Sequence, residues 1–154
     1  MSIEIETVEL PDQPALCVRF ETSMDKLKDD IGRTYGLIFG RIGASGVAPA
    51  GPPMALYFDM EMNPESFEME SCVPVAGEAA GEGEVTFRVL PGGKFLSLMH
   101  RGPYETLEAT YEALFAYMKE NGLELAGPSR ELYLTDPSQV EVPEDNLTQI
   151  LFPL

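Results

Sequence analysis

Glu131 is the one acidic side chain in a short segment with the pattern of a strand, Arg130-Glu131-Leu132-Tyr133-Leu134. Alternation along a strand puts Glu131 and Tyr133 on one face and the two leucines on the other. A carboxylate held partly out of water either raises its pKa or binds a cation. Neighbouring aromatic faces favour a flat, lipophilic cation. The alternative is that Glu131 points into solvent beside Arg130, as most strand carboxylates do.

An internal repeat relates this segment to an earlier one. Leu10-Pro11 recurs as Leu90-Pro91, 80 residues later. The segment from Gly51 to Phe58 then lies over residues 127–134 at an offset of 76, which places Tyr57 on Tyr133. If the two copies pair about a pseudo-two-fold axis, Glu131 and both tyrosines line one central concavity.

Each copy predicts the order strand, strand, helix, strand, strand. Six of the eight predicted strands span residues 3–10, 15–21, 54–59, 67–75, 130–135 and 147–152, and the other two lie on either side of the turn Pro91-Gly92-Gly93. The predicted helices span residues 24–42 and 104–121, the first capped by Thr22 or Ser23. The expected fold class is α+β, with duplicated modules, a mostly antiparallel sheet, helices on one side and a ligand cleft between the modules. We expect one domain over residues 1–154, with repeats at about 1–75 and 84–154 joined by an acidic Gly/Ala linker at 76–83.

The charge balance excludes several classes of partner. The chain carries 10 Lys+Arg against 26 Asp+Glu, a formal net charge of −16. Direct binding to nucleic acid or to an anionic membrane is therefore not expected. The sequence shows no secretory signal and no apolar run long enough to span a bilayer, which predicts a cytoplasmic protein. Cys17 and Cys72 are expected to be reduced, buried and hydrophobic, and no metal or cofactor is predicted.

Helix one carries a row of glycines at positions 32, 36 and 40. Their spacing places them opposite the predicted core positions. Either a ligand or a second chain approaches this groove, which makes a homodimer possible, or the helix is flexible or shorter than drawn.

Methionine and histidine give weaker signals. Four methionines cluster near the third and fourth strands and form either an adaptable ligand wall or ordinary core: Met54, Met60, Met62 and Met69. His100 is the only histidine and is expected to be half-exposed at a strand end. The sequence contains no P-loop and no HExxH or GxSxG motif.

Four motifs in order resemble the GyrI-like small-molecule-binding family, which includes the effector-binding domain of multidrug-responsive bacterial transcription activators. They are Leu90-Pro91-Gly92-Gly93, the six residues from His100 to Glu105, the seven from Glu131 to Pro137, and the ending Ile150-Leu151-Phe152-Pro153-Leu154. The resemblance covers nearly the whole chain. It implies paired modules around a ligand cleft, with the glutamate that matches Glu131 facing lipophilic cations.

The resemblance also implies a catalytic alternative. Some stand-alone members hydrolyse strained cyclopropane-containing natural products with a glutamate and a tyrosine. Glu131 would then activate water, and Tyr104, from the Gly-Pro-Tyr motif, would donate a hydrogen bond to the substrate.

Three functional hypotheses follow. The first is binding of a lipophilic, cationic small molecule for sensing or sequestration; the second is the hydrolase. The third is a protein-interaction module that inhibits a topoisomerase, as the family name suggests. The predicted ligand contacts are Glu131, Tyr133, Tyr57, Tyr104, Tyr35, Phe39, Met54 and His100, with Glu131 and Tyr104 as the catalytic pair.

Overall fold

The computed structural model describes residues 5–58, 65–135 and 140–154, with the backbone alone for Glu105. These residues form strands and helices of a mostly antiparallel α+β fold, which confirms the predicted class. The strands are β1 (Ile5–Leu10), β2 (Gln13–Thr22), β3 (Met54–Tyr57), β4 (Phe67–Pro74), β5 (Thr86–Leu90), β6 (Gly93–Arg101), β7 (Ser129–Tyr133) and β8 (Leu147–Pro153). The helices are α1 (Leu27–Ser45) and α2 (Leu107–Glu120).

The chain divides into two compact units, each containing four of the strands. Unit one contains β1 and everything from Gly93 to Leu154, and unit two contains Pro11–Gly92. The strand order is β1-β6-β8-β7 in unit one and β3-β4-β2-β5 in unit two. Neighbouring strands within each unit are antiparallel.

The first strand of each predicted copy belongs to the unit of the other copy. β1 pairs along β6 from Ile5↔Leu98 to Leu10↔Gly93. In the same way β5 pairs along β2, with Gln13 opposite Leu90. Strands β1, β6, β8 and β7 of unit one therefore correspond in order to β5, β2, β4 and β3 of unit two. This shared order supports the proposed duplication. The duplication and the cleft between modules stay predictions.

The acidic Gly/Ala segment at 76–83 lies within unit two, between β4 and β5. Arg41 Nε donates to the Ala80 carbonyl at 2.7 Å, and Arg41 also pairs with Glu82 at 2.9 Å. A Cβ at Gly81 would lie 2.3 Å from the carbonyl oxygen of Val85, so only glycine fits this turn. The segment is therefore held against α1 by specific contacts.

Helix α1 begins later than predicted, and the predicted cap is wrong. Lys26 occupies the N-cap position without a side-chain cap bond. Residues 23–26 first form a turn, in which Lys26 N–H donates to the Ser23 carbonyl at 3.0 Å. Thr22 Oγ1 instead donates to Asp30 Oδ2 at 2.7 Å. The helix ends at Gly46, whose φ of 77° is the left-handed conformation that favours glycine.

Each helix packs an apolar face on the sheet of its own unit. In unit two, Ile38 and Ile42 of α1 lie in a buried cluster with residues of β2 and β4. In unit one, Leu114 and Met118 of α2 pack with Leu96, Ile150 and Phe152. The spacing of three and four residues within each helix face accounts for this one-sided packing.

The glycine row of α1 is exposed, and no atom lies within 4 Å of a Cβ built at Gly32, Gly36 or Gly40. The helix runs for 19 residues, so the interpretation of a shorter helix is wrong. Met54 and Met69 are core residues, whereas Met60 and Met62 lie outside the described residues. Neither helix in the described part of the chain is long and apolar enough to cross a membrane.

Candidate functional site

Glu131 is buried on β7, with 6% of its surface exposed. Its backbone partner across β8 is Ile150, which belongs to the core beneath α2. Directly paired residues of antiparallel strands share a face, so the carboxylate lies on the α2 side of the sheet. The alternative in which Glu131 points into solvent is therefore wrong.

Arg130 points to the other face of the same strand. Its guanidinium carbon lies 4.7 Å from the centre of the Phe95 ring, in a cation–π contact. Alternation along β7 thus separates the neighbouring acid and base, as the strand pattern predicts.

Two tyrosines donate hydrogen bonds to the Glu131 carboxylate. Tyr111, on α2, donates to Oε2, and Tyr133, two residues along β7, donates to Oε1 at 3.1 Å. Burial raises the pKa of the Glu131 carboxyl, while the hydrogen bonds from Tyr111 and Tyr133 lower it and offset part of the burial effect. The result is a carboxyl that is easier to protonate than usual but held in a fixed orientation.

Further aromatic rings pack on the two tyrosines that bind this carboxylate. Tyr104 meets Tyr133 edge to face with ring centres 5.8 Å apart. Tyr111 packs on Phe152 at 5.9 Å. We call Glu131, Tyr104, Tyr111, Tyr133 and Phe152 the acid–aromatic cluster. Tyr104 is 40% exposed, so this end of the cluster reaches solvent.

A buried hydroxyl lies on the same face. Thr148 is the β8 partner of both Tyr133 and His100. It is fully buried, and its Oγ1 forms no hydrogen bond with the described residues. Such a group is available to a polar atom of a ligand or to a water molecule.

His100 is buried rather than half-exposed, so that prediction is wrong. Its Nδ1 lies 2.7 Å from Thr110 Oγ1, and its Nε2 lies 3.0 Å from Thr106 Oγ1. Both threonines belong to the start of α2 or to the turn before it. The imidazole thus connects the end of β6 to the start of α2, because its two nitrogens form hydrogen bonds with Thr110 and Thr106.

The other predicted contacts belong to unit two. Tyr35 donates its hydroxyl to the Met54 carbonyl at 2.5 Å and lies 6.5 Å, ring centre to ring centre, from Phe39. Tyr57 ends β3 opposite Met69. Fully buried Ala55 occupies the repeat position of Glu131, so unit two has no carboxylate there.

Tyr111 is the site residue that sequence reasoning missed as a ligand contact. It occurs at a core position of the helical pattern, between Leu107 and Leu114, and that position predicts packing alone. The available signal was its hydroxyl, because a buried tyrosine O–H usually has a hydrogen-bond partner.

The chain matches a known protein family over nearly its whole length. The family model described as GyrI-like small molecule binding domain matches residues 3–154. Comparison with curated protein sequences finds no significant match.

Two solved structures of EcmrR are similar to this chain over nearly its whole length. The EcmrR C-terminal domain is 25% identical with a TM-score of 0.84, over 99% of this chain and 98% of that one. In the EcmrR–DNA complex the identity is 23% and the TM-score 0.86, over 98% of this chain. This chain spans 57% of the EcmrR chain in that complex.

Two more distant structures share the fold. A hydrolase from Listeria innocua is 16% identical with a TM-score of 0.68, over 97% of this chain and 91% of that one. SAV2435 bound to tetraphenylphosphonium is 13% identical with a TM-score of 0.66, over 99% of this chain and 93% of that one.

Proposed function

The chain belongs to the GyrI-like small-molecule-binding family, and from that premise we propose that it binds a lipophilic, cationic small molecule with Glu131 as its anionic contact. The observation that carries the proposal is the buried Glu131 carboxylate, held by two tyrosine hydroxyls among aromatic rings.

A cation is the ligand that best complements this arrangement. An ionised carboxylate out of water is costly unless a positive charge compensates it. The described residues place no Lys or Arg in an ion pair with Glu131, and the two tyrosines donate without supplying charge. A bound cation would supply it, and the rings of Tyr104, Tyr111 and Tyr133 would favour a delocalised, lipophilic one.

One structural neighbour supports this ligand class. SAV2435 was solved with tetraphenylphosphonium, a lipophilic cation. The family model, described as GyrI-like small molecule binding domain, supports small-molecule recognition as the role of the fold. Neither likeness assigns a particular ligand to this chain.

The test is titration with tetraphenylphosphonium and with the neutral triphenylphosphine oxide. We expect Glu131→Gln to weaken cation binding by about tenfold or more, equivalent to about 1.4 kcal/mol, and to leave binding of the neutral compound unchanged. Glu120→Gln, an exposed substitution on α2 with the same change of net charge, is the matched control. Equal cation affinity in Glu131→Gln and wild type would overturn the proposal.

A second candidate is hydrolysis of a strained cyclopropane-containing electrophile. The hydrogen bonds from Tyr111 and Tyr133 favour it, because they hold the carboxylate where it could activate water. Tyr111 and Tyr133 would then orient the carboxylate, and Tyr104 stays the predicted hydrogen-bond donor to the substrate. Consumption of such a compound by wild type, slowed more than its binding is weakened in Tyr111→Phe, would favour this function.

A further inference from the structure

A second group of chemically capable side chains lies in unit two. Cys17 on β2 and Cys72 on β4 are direct partners across the two strands. Glu70 lies two residues before Cys72 on β4, so its side chain shares the same face. The two sulfur atoms and a carboxylate oxygen all lie within 4.8 Å of one another. We propose that Cys17, Cys72 and Glu70 hold a thiophilic divalent cation, Zn²⁺ or Cd²⁺.

The spacing and donor types suit such an ion. Two sulfurs and one carboxylate oxygen form a donor set that zinc takes in proteins, with Zn–S distances of about 2.3 Å and tetrahedral angles. Those values place two bound sulfurs about 3.8 Å apart, so a closure of about 1 Å at most brings the two sulfurs to the spacing of a bound pair. All three side chains belong to adjacent, paired strands, which keeps the donors together without a loop.

Arg88 prepares the carboxylate for this role. Its Nη2 and Nε donate to the two oxygens of Glu70, the second at 3.1 Å. Each carboxylate oxygen keeps a second lone pair for a metal. Carboxylates that bind metals are commonly fixed by such a hydrogen bond from an outer residue.

The charge balance is the same with and without the ion. Formation of each S–metal bond releases the thiol proton to solvent. Two positive charges on the ion thus replace two protons, while Glu70 and Arg88 compensate each other throughout. No net charge is buried in either state.

The fold alone does not require these residues. In unit one the corresponding positions are Ser97, Gln149 and Leu151, and Ser97 pairs with Leu151 as Cys17 pairs with Cys72. There Gln149 Nε2 donates to Ser97 Oγ at 3.0 Å, which satisfies the polar groups without charge. A buried carboxylate beside two thiols therefore needs a reason beyond packing, since a buried ion pair is weak support for stability.

The experiment is titration of the reduced full chain with Cd²⁺, followed by the ultraviolet charge-transfer band of cadmium–thiolate bonds. Cys17 and Cys72 are the only cysteines of the sequence, so the band reports on this site alone. We expect one Cd²⁺ per chain with a two-thiolate band, displaced by Zn²⁺. Cys72→Ser should lose the two-thiolate band, and Glu70→Gln should keep it with affinity lowered about tenfold or more.

Two controls separate this site from general effects. Glu68→Gln removes an exposed carboxylate two residues away and should leave Cd²⁺ affinity unchanged. Glu131→Gln should also leave it unchanged, which distinguishes this site from the acid–aromatic cluster. Because a cysteine variant can fail to fold, the shift of the melting temperature with Zn²⁺ is measured in wild type and in Glu70→Gln as well. Absence of a saturable band and of a Zn²⁺ shift in wild type, or equal affinity in Glu70→Gln, would overturn the proposal.

Discussion

At Glu131 two opposing effects act on the same carboxyl group. Burial favours the protonated form, whereas the phenol hydroxyls of Tyr111 and Tyr133 favour the ionised form. Burial is the larger effect, so the folded-state pKa lies above the usual value of 4.5. The residue is thus destabilising when ionised and alone, and a cationic ligand removes that penalty.

This balance predicts the pH dependence of stability. Below the usual pKa the carboxyl is protonated in both states and Glu131 imposes no charge penalty. As pH rises from 4.5 through the raised folded-state pKa, the unfolded chain loses its proton first, so the free energy of unfolding falls. Glu131→Gln lacks this loss, so its stability relative to wild type should improve as pH rises. Urea unfolding from about pH 4 to about pH 8 measures the difference.

The exposed Glu120→Gln variant serves as the reference in that series. Its stability difference from wild type should stay nearly constant over the same pH range. A constant difference for Glu131→Gln as well would show that the carboxyl titrates normally and that burial does not govern it.

Helix α1 contains four exposed glycines, and a fifth glycine at its C-terminal cap has a left-handed backbone conformation. Gly32, Gly36, Gly40 and Gly43 have open space at the Cβ position. Gly46 has a φ of 77° and closes the helix through its N–H bond to the Ile42 carbonyl. Within the helix, glycine adds backbone entropy to the unfolded state and no contact to the folded state.

We therefore expect opposite effects from the same substitution along this element. Gly36→Ala should raise the free energy of unfolding by about 0.5–1 kcal/mol, and the same holds for Gly32 and Gly40. Gly46→Ala should lower it, because a side chain is strained at positive φ. Thermal and urea unfolding of these four single variants test both signs. A stabilised Gly36→Ala that also loses tetraphenylphosphonium binding would show that a ligand uses the glycine row.

Strand β1 belongs to unit one, and the rest of that unit comes from the C-terminal part of the chain, from Gly93 onward. β1 covers one side of β6, while β8 covers the other. The equivalent exchange places β5 beside β2 in unit two. Backbone hydrogen bonds of β6 thus depend on a segment more than 80 residues away in sequence.

Removal of residues 1–10 tests this arrangement. The amides of β6 that pair with β1 should exchange with deuterium at least tenfold faster, equivalent to about 1.4 kcal/mol of local protection. The amides of β2 should keep their protection, because β4 and β5 both lie in unit two. Faster exchange in β2 with unchanged β6 would contradict the strand order.

The local elements could largely be predicted from sequence, because their signals lie within a few residues. Period-two alternation marked β7 and put Glu131 with Tyr133, and spacing of three and four marked the inward face of α2. The predicted cap of α1 failed because a single turn at 23–26 precedes the helix, and local propensity does not distinguish the two. Part of the candidate site was predicted, including Glu131, Tyr133 and Tyr104.

The sequence by itself determined the α+β class, the order of the elements and which side chains share a strand face, since periodicity expresses these features directly. Tertiary structure alone decided which strands pair, and hence that Tyr111 reaches Glu131 and that Cys17 lies opposite Cys72. Pairing depends on contacts between residues 20 to more than 50 positions apart. Such contacts produce no periodic pattern in the sequence. The backbone groups of one apolar strand can pair with those of several other strands, so a local pattern does not identify the partner.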